Sequence, residues 1–180
     1  MKDIAAFVHR YLRSVALSGC ARFSRTGLGN RVEIIAHRGA SHAAPENTLA
    51  SVSLAWQMEA DAVEVDVHLS KDNRIVAIHD PWTDRTGGVR LEVANTIAHH
   101  LRRLDVGSHK HHQYARERIP FLEEVLDTVP PGRRLFIEVK CGLDILPFLD
   151  EAVTRSGKRS QVSIIGFNLD AMKTAKQVVP

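Results

Sequence analysis

An α/β fold is predicted for this chain, and three observations predict it. Five short runs rich in β-branched residues are mostly separated by segments of helical period. The first run, Ile34-Ile35-Ala36, ends abruptly in His37-Arg38-Gly39-Ala40 and leads into a Pro45-Glu46-Asn47-Thr48 helix start. An α/β sheet presents its chemistry in this way, with a titratable group and a cation delivered at the carboxyl end of a strand. Finally, 180 residues suffice for one domain with a substantial core and are too few for two large ones.

Composition narrows the functional classes. A net charge of +3 with ten histidines favours anionic small molecules mildly and is too weak to argue for nucleic acid. No apolar stretch approaches the length of a membrane span. Cys20 and Cys141 do not make a disulfide framework, so a reducing, cytoplasmic setting is the expectation. Leu17-Ser18-Gly19-Cys20 resembles a bacterial lipoprotein cleavage site, but Asp3, His9, Arg10 and Arg13 interrupt any apolar run before it. Cys141 reads as an inert buried cysteine, since Lys140 is its only evident thiolate partner.

Taken in order, residues 1–31 are expected to hold an amphipathic helix and a linker. Ile4, Phe7, Val8, Tyr11, Leu12 and Val15 share one helical face. This face suits the end of a domain better than a membrane surface. Residues 32–180 are expected to hold the α/β domain. Its first strand is Val32 to His37, followed by a helix through Leu49, Val52 and Met58 that Asn47 or Thr48 caps. Asp61 to Ser70 alternates Val63, Val65 and Val67 with Glu64, Asp66 and His68, the period of a strand.

The next strand, Ile75 to His79, follows too closely for a parallel crossover, so the two runs are expected to form a hairpin. With Asp72-Asn73 as a two-residue turn, His79 would lie opposite Asp66 and near Glu64. Residues 91–104 read as a helix with a basic end. Residues 105–118 read as a loop, whose His109-Lys110-His111-His112 is a solvated run rather than a metal site. Pro120 opens a helix through Phe121, Leu122, Val125 and Leu126. Then come a strand from Arg134 to Lys140, a helix from Ile145 to Thr154, a strand from Val162 to Phe167 and a last helix from Leu169.

Acidic residues at i and i+2 on apolar strands are costly unless paired or bound to a cation. Glu64, Asp66 and Glu138 offer hard oxygens, suited to Mg²⁺ or Ca²⁺ rather than zinc. His37 and His79 end consecutive β segments and can move protons near neutral pH. Arg38 and Lys140 add two cations suited to phosphate. Each residue alone reads as an ordinary strand residue; together they read as a site.

In order along the chain, several motifs resemble glycerophosphodiester phosphodiesterases. They are His37-Arg38-Gly39, Pro45-Glu46-Asn47-Thr48, Glu64-Val65-Asp66-Val67, His79-Asp80, Arg85-Thr86 and Glu138-Val139-Lys140. Leu104-Asp105-Val106-Gly107-Ser108, the run from Ile119 to Leu126 and Ile164-Ile165-Gly166-Phe167 continue the match. The resemblance implies a (β/α)₈ barrel of the TIM type that hydrolyses glycerophosphodiesters to glycerol 3-phosphate and an alcohol. It further implies one divalent cation on Glu64, Asp66 and Glu138, phosphate contacts from Arg38 and Lys140, and general acid-base work by His37 and His79. Glu46 would orient His37 or Arg38, or else cap its helix.

Only about five of eight strands are expected in this chain, because a complete barrel needs at least ~200 residues. Glu59 and Gly166 stand where the family usually has glycine and serine. Two alternatives accompany the hydrolase reading. One is a barrel fragment that binds metal and phosphate, with a homo-oligomer or partner covering its open edge. The other is a lipid phosphodiesterase of the same superfamily.

Overall fold

The computed structural model describes residues 32–167 together with 173 and 176; the expected N-terminal helix, the Leu17–Cys20 motif and most of the last helix lie outside the described residues. At the centre is β2 (Ala62–Leu69), buried along nearly its whole length, as in a sheet covered on both faces. Its Val63, Val65 and Val67 are fully buried against one face. Glu64, Asp66 and His68 point to the other.

One edge of β2 pairs in parallel with β4 (Arg134–Val139), which pairs in parallel with β5 (Val162–Ile165). The other edge is divided. Its first half takes β1 (Ile35–His37) in parallel, and its second half takes β3 (Ile75–Ala77) antiparallel. The order is therefore β1-β2-β4-β5, with β3 a hairpin partner of β2.

Helix α1 (Leu49–Gln57) begins at Thr48, whose hydroxyl accepts from the Ser51 backbone, so Thr48 rather than Asn47 is the cap. The helix ends at Gln57, with Met58 as its C-cap, and the next residue, Glu59, adopts φ 61°. A side chain at a left-handed helix terminus is strained, and glycine is favoured there. Two short turns, α2 (Asp84–Gly87) and α3 (Ala98–Leu101), lie in the segment after β3. Helices α4 (Leu122–Thr128) and α5 (Leu146–Ser156) join α1 in the main core. There Val52, Leu122, Leu126 and Leu149 meet the valines of β2 and Leu135 and Ile137 of β4. A second core, with Val76, Ile78, Leu101, Val106 and Ile119, sits beneath residues 91–119.

Two expectations are corrected. The continuous helix over 91–104 is broken into a 3₁₀ turn at Val93–Asn95 and α3. Thr96 and Ile97 are extended between them. The tip of the hairpin holds this break open: Lys71 N donates to Thr96 O, and Ala98 N donates to Asp72 Oδ1 at 2.7 Å. The hairpin exists, but its loop is three residues long. Ser70 N donates to Arg74 O and Asn73 takes φ 58°, the left-handed residue a three-residue loop requires. Pairing shifts by one, so Ile78 N meets Asp66 O, and the expected cross-strand pairing of His79 with Asp66 is not formed. A one-residue slip exchanges the faces of a strand.

Candidate active site

The parallel registers bring the carboxyl ends of three strands together. His37 is paired with Glu64 across β1 and β2, and Asp66 with Glu138 across β2 and β4. Residues in register share a face. Carboxylate oxygens of Glu64, Asp66 and Glu138 consequently lie within 4.8 Å of one another, and all three residues are buried. Three acidic side chains from two strands thus meet at one point.

Arg38 turns the chain at the head of this cluster. It adopts φ 56°, followed by Gly39 at φ 75°. A Cβ on Gly39 would stand 2.5 Å from Ser51 Oγ and 2.6 Å from its carbonyl carbon, so both conformation and space demand glycine. The turn points Arg38 N at Glu64 Oε2, to which it donates at 2.8 Å. The Arg38 guanidinium lies 3.0 Å from Asp66 Oδ2 and donates to Glu46 Oε1 at 3.1 Å. Glu46 therefore holds arginines rather than capping its helix.

Asn47, at φ 55°, fastens the aspartate from the other side. Its amide donates to Asp66 Oδ2 at 2.9 Å, and its oxygen accepts from Asp66 N at 3.0 Å. Lys140 donates to Glu138 Oε1 at 2.8 Å and lies 3.4 Å from Asp66 Oδ1. Burial alone would lower the Lys140 pKa, but Glu138 and Asp66 outweigh it and raise it.

These cations do not satisfy the cluster. Glu64 Oε1 and Asp66 Oδ1 are buried and accept no hydrogen bond from the described residues. Burial, reinforced by the charges of Asp66 and Glu138, pushes the Glu64 carboxyl up to about 7. Buried carboxylate oxygens without donors are an arrangement that a divalent cation completes. The residues present therefore fit a hard metal ion.

The histidines occupy different surroundings. His37 is largely exposed, with Nε2 3.9 Å from Glu64 Oε2. His79 lies where the chain leaves the sheet. Its Nδ1 lies 2.6 Å from Asp80 Oδ1, and Arg85 Nε donates to Asp80 Oδ2 at 2.5 Å. The other end of the Arg85 guanidinium is bidentate on Glu46, at 2.6 and 2.9 Å. A continuous chain of polar contacts thus runs from His79 through Asp80, Arg85, Glu46 and Arg38 to Asp66. The Arg85 hydrogen bond is the main reason Glu46 is held below the usual carboxylate range.

All eight residues expected at the site lie on this cluster or its charged chain. Four further residues join them: Asn47 beyond its capping role, His68, and Asp80 and Arg85, which the sequence offers only as parts of the family motifs. His68 is buried, and its Nε2 contacts the His79 carbonyl at 3.0 Å. Burial lowers its pKa and keeps it neutral. A period-two count placed His68 on the face of Glu64 and Asp66, and that signal could have found it. Nothing in local pattern marks Asn47 as a partner of Asp66.

The Glycerophosphoryl diester phosphodiesterase family model matches residues 37–180. A glycerophosphodiester phosphodiesterase of Caldanaerobacter subterraneus subsp. tengcongensis is 35% identical over 152 residues, which cover 82% of this chain and 63% of that protein. A Bacillus subtilis protein of the same name is 33% identical over 170 residues, covering 84% and 57%. Among solved structures, a phosphodiesterase of Oleispira antarctica in complex with the product sn-glycerol-3-phosphate superposes with a TM-score of 0.72 at 33% identity, covering 82% of this chain and 62% of that one. A glycerophosphodiester phosphodiesterase from Agrobacterium tumefaciens gives a TM-score of 0.77 at 27% identity, covering 83% and 64%.

The chain spans less than two thirds of the length of these relatives. The fold is of the (β/α)₈ barrel type, with five of its strands among the described residues. By its matched sequence, its strand order and the acidic cluster at the carboxyl ends of those strands, this chain belongs to the glycerophosphoryl diester phosphodiesterase family.

Proposed function

We propose that the acidic trio holds one divalent cation, Mg²⁺ or Ca²⁺, and that the site hydrolyses glycerophosphodiesters to glycerol 3-phosphate and an alcohol. One observation carries the reading: Glu64 and Asp66 each bury a carboxylate oxygen that accepts no hydrogen bond among the described residues, in an acidic trio whose oxygens come within 4.8 Å of one another. The product held by the Oleispira antarctica relative supports the substrate class. When bound, the cation supplies Lewis-acid polarisation of the phosphoryl oxygens.

This chain's residues supply the remaining chemistry. A phosphodiester carries one negative charge and gains a second on the way to five-coordinate phosphorus, so fixed cations favour the transition state over the ground state. Arg38 and Lys140 take that role, moving part of their charge from Glu46, Asp66 and Glu138 to the phosphate. His37, exposed at the mouth, takes the proton of the nucleophile as its oxygen attacks phosphorus. His79 gives a proton to the departing alkoxide as its phosphorus–oxygen bond breaks. The nucleophile is water or the substrate's own glycerol hydroxyl.

The test is release of glycerol 3-phosphate from glycerophosphocholine, with and without EDTA. Release that EDTA abolishes and added cation restores supports the reading; none in the presence of either cation refutes it. A parallel arm with detergent-dispersed lysophospholipid separates a lipid-directed enzyme from one acting on soluble diesters. A second reading, a barrel that binds but needs a partner or second copy for turnover, is favoured by the sheet edges. Val32 and Ile34 beside β1 are 82% and 64% exposed, and Phe167 beyond β5 is 92% exposed. Sedimentation analysis beside the turnover assay distinguishes the two.

A further inference from the structure

We infer that Asp80 and Arg85 are positioning residues for His79: Asp80 holds the proton of His79 on Nδ1, and Arg85 ties that pair to the arginine turn at the metal cluster. The inference deepens the proposed hydrolase reading and rests on it for its catalytic part. Geometry carries the first step. His79 Nδ1 lies 2.6 Å from Asp80 Oδ1, and an ionised carboxylate only accepts hydrogen bonds. Burial would raise the Asp80 carboxyl, but the Arg85 and His79 hydrogen bonds outweigh it and keep it ionised. The proton between His79 and Asp80 therefore belongs to Nδ1, and Nε2 is the nitrogen left to exchange a proton with the substrate.

The second step concerns where His79 is held. His79 lies beyond the end of β3, so no strand pairing fixes its imidazole. Four side chains in series do so instead. Arg85 grips Asp80 through Nε and Glu46 through both terminal nitrogens. Glu46 also accepts from Arg38, whose guanidinium lies against Asp66. Bidentate arginine–carboxylate pairs fix orientation as well as distance. The other group facing this backbone is neutral His68, bound to the His79 carbonyl. It positions the main chain and leaves the ring to Asp80.

A merely structural staple would give the same contacts without setting the tautomer, so the tautomer is the discriminating readout. The ¹⁵N shifts of His79, assigned with His79→Gln and recorded on the full chain above neutral pH, should show the Nδ1–H form. Asp80→Asn can offer its amide to Nδ1 and should move the ring to the Nε2–H form, as in the aspartate-to-asparagine change of a serine-protease triad. Turnover in that variant should fall about 10²-fold with KM unchanged.

Arg85→Ala should lose turnover similarly and regain part of it with added guanidinium, while cation binding by calorimetry stays as in the unaltered chain. An Nε2–H form in the unaltered protein, or full turnover in folded Asp80→Asn, would overturn the inference. Should Asp80→Asn fail to fold, the unaltered chain and Arg85→Ala still decide it; absence of guanidinium rescue in a folded Arg85→Ala counts against the tie to Glu46. Absence of turnover in the unaltered chain, with the Nδ1–H form present, would fault the hydrolase reading instead.

Discussion

Replacing Glu64 with Gln should stabilise the cation-free protein at alkaline pH while destroying its response to cation. In the folded state burial pushes the Glu64 carboxyl up to about 7, against an ordinary value of 4.5. The folded state therefore holds the proton more tightly than the unfolded chain. The stability this confers is complete below pH ~4.5 and is lost as pH rises through about 7. The difference between these two values, at about 1.4 kcal/mol for each tenfold change in proton affinity, corresponds to about 3–4 kcal/mol at pH 8, and Glu64 is only 4% exposed. Gln keeps an oxygen for the Arg38 N–H bond and removes the charge that faces Asp66 and Glu138.

Urea unfolding in EDTA at pH 8 should thus find Glu64→Gln more stable by about 3–4 kcal/mol, and at pH 5 most of the difference should be gone. With Mg²⁺ or Ca²⁺ at a hundred times its dissociation constant, the unaltered chain should gain about 2.7 kcal/mol and the variant much less. Equal destabilisation of Glu64→Gln at both pH values in EDTA would refute the reasoning. So would the same gain with cation in both proteins.

Three further outcomes are expected. His79→Ala should lower kcat at least ~10²-fold while cation affinity by calorimetry is unchanged; near-normal turnover would remove His79 from the mechanism. Glu59→Gly relieves a left-handed backbone at the end of α1 and should raise stability by about 1 kcal/mol in urea, a loss of stability being the contrary result. Gly39→Ala forces a Cβ to 2.5 Å from Ser51 Oγ; it should lower the melting temperature and weaken cation binding together, because Arg38 N can no longer meet Glu64. Unchanged cation affinity in that variant would separate the turn from the metal cluster.

The strands and most of the chemistry were legible in local pattern, and the corrections show where pattern stops. Alternation in 62–69 and 134–139 assigned Glu64, Asp66 and Glu138 to strand faces, since side chains alternate with period two whatever the neighbours are. The hairpin followed from a connection too short to cross over. Its register did not, because Asn73 accepts a left-handed conformation and lengthens the loop by one residue. The helix expected over 91–104 failed for a similar reason: Asp72, distant in sequence, caps Ala98 and breaks the run.

The amino-acid sequence by itself determined the strands and most of the helices, and it offered the acidic and histidine candidates together with the hard-cation chemistry that such side chains suit. These depend on side-chain identity and on spacing within one segment. Only the tertiary structure decided that His37 stands beside Glu64 and Asp66 beside Glu138, that Asn47 clasps Asp66, and that Glu46 and Arg85 link His79 to Arg38. Those contacts join residues from 8 to 72 positions apart, as with Asp66 and Glu138. Parallel register and loop closure, which no local periodicity encodes, set them.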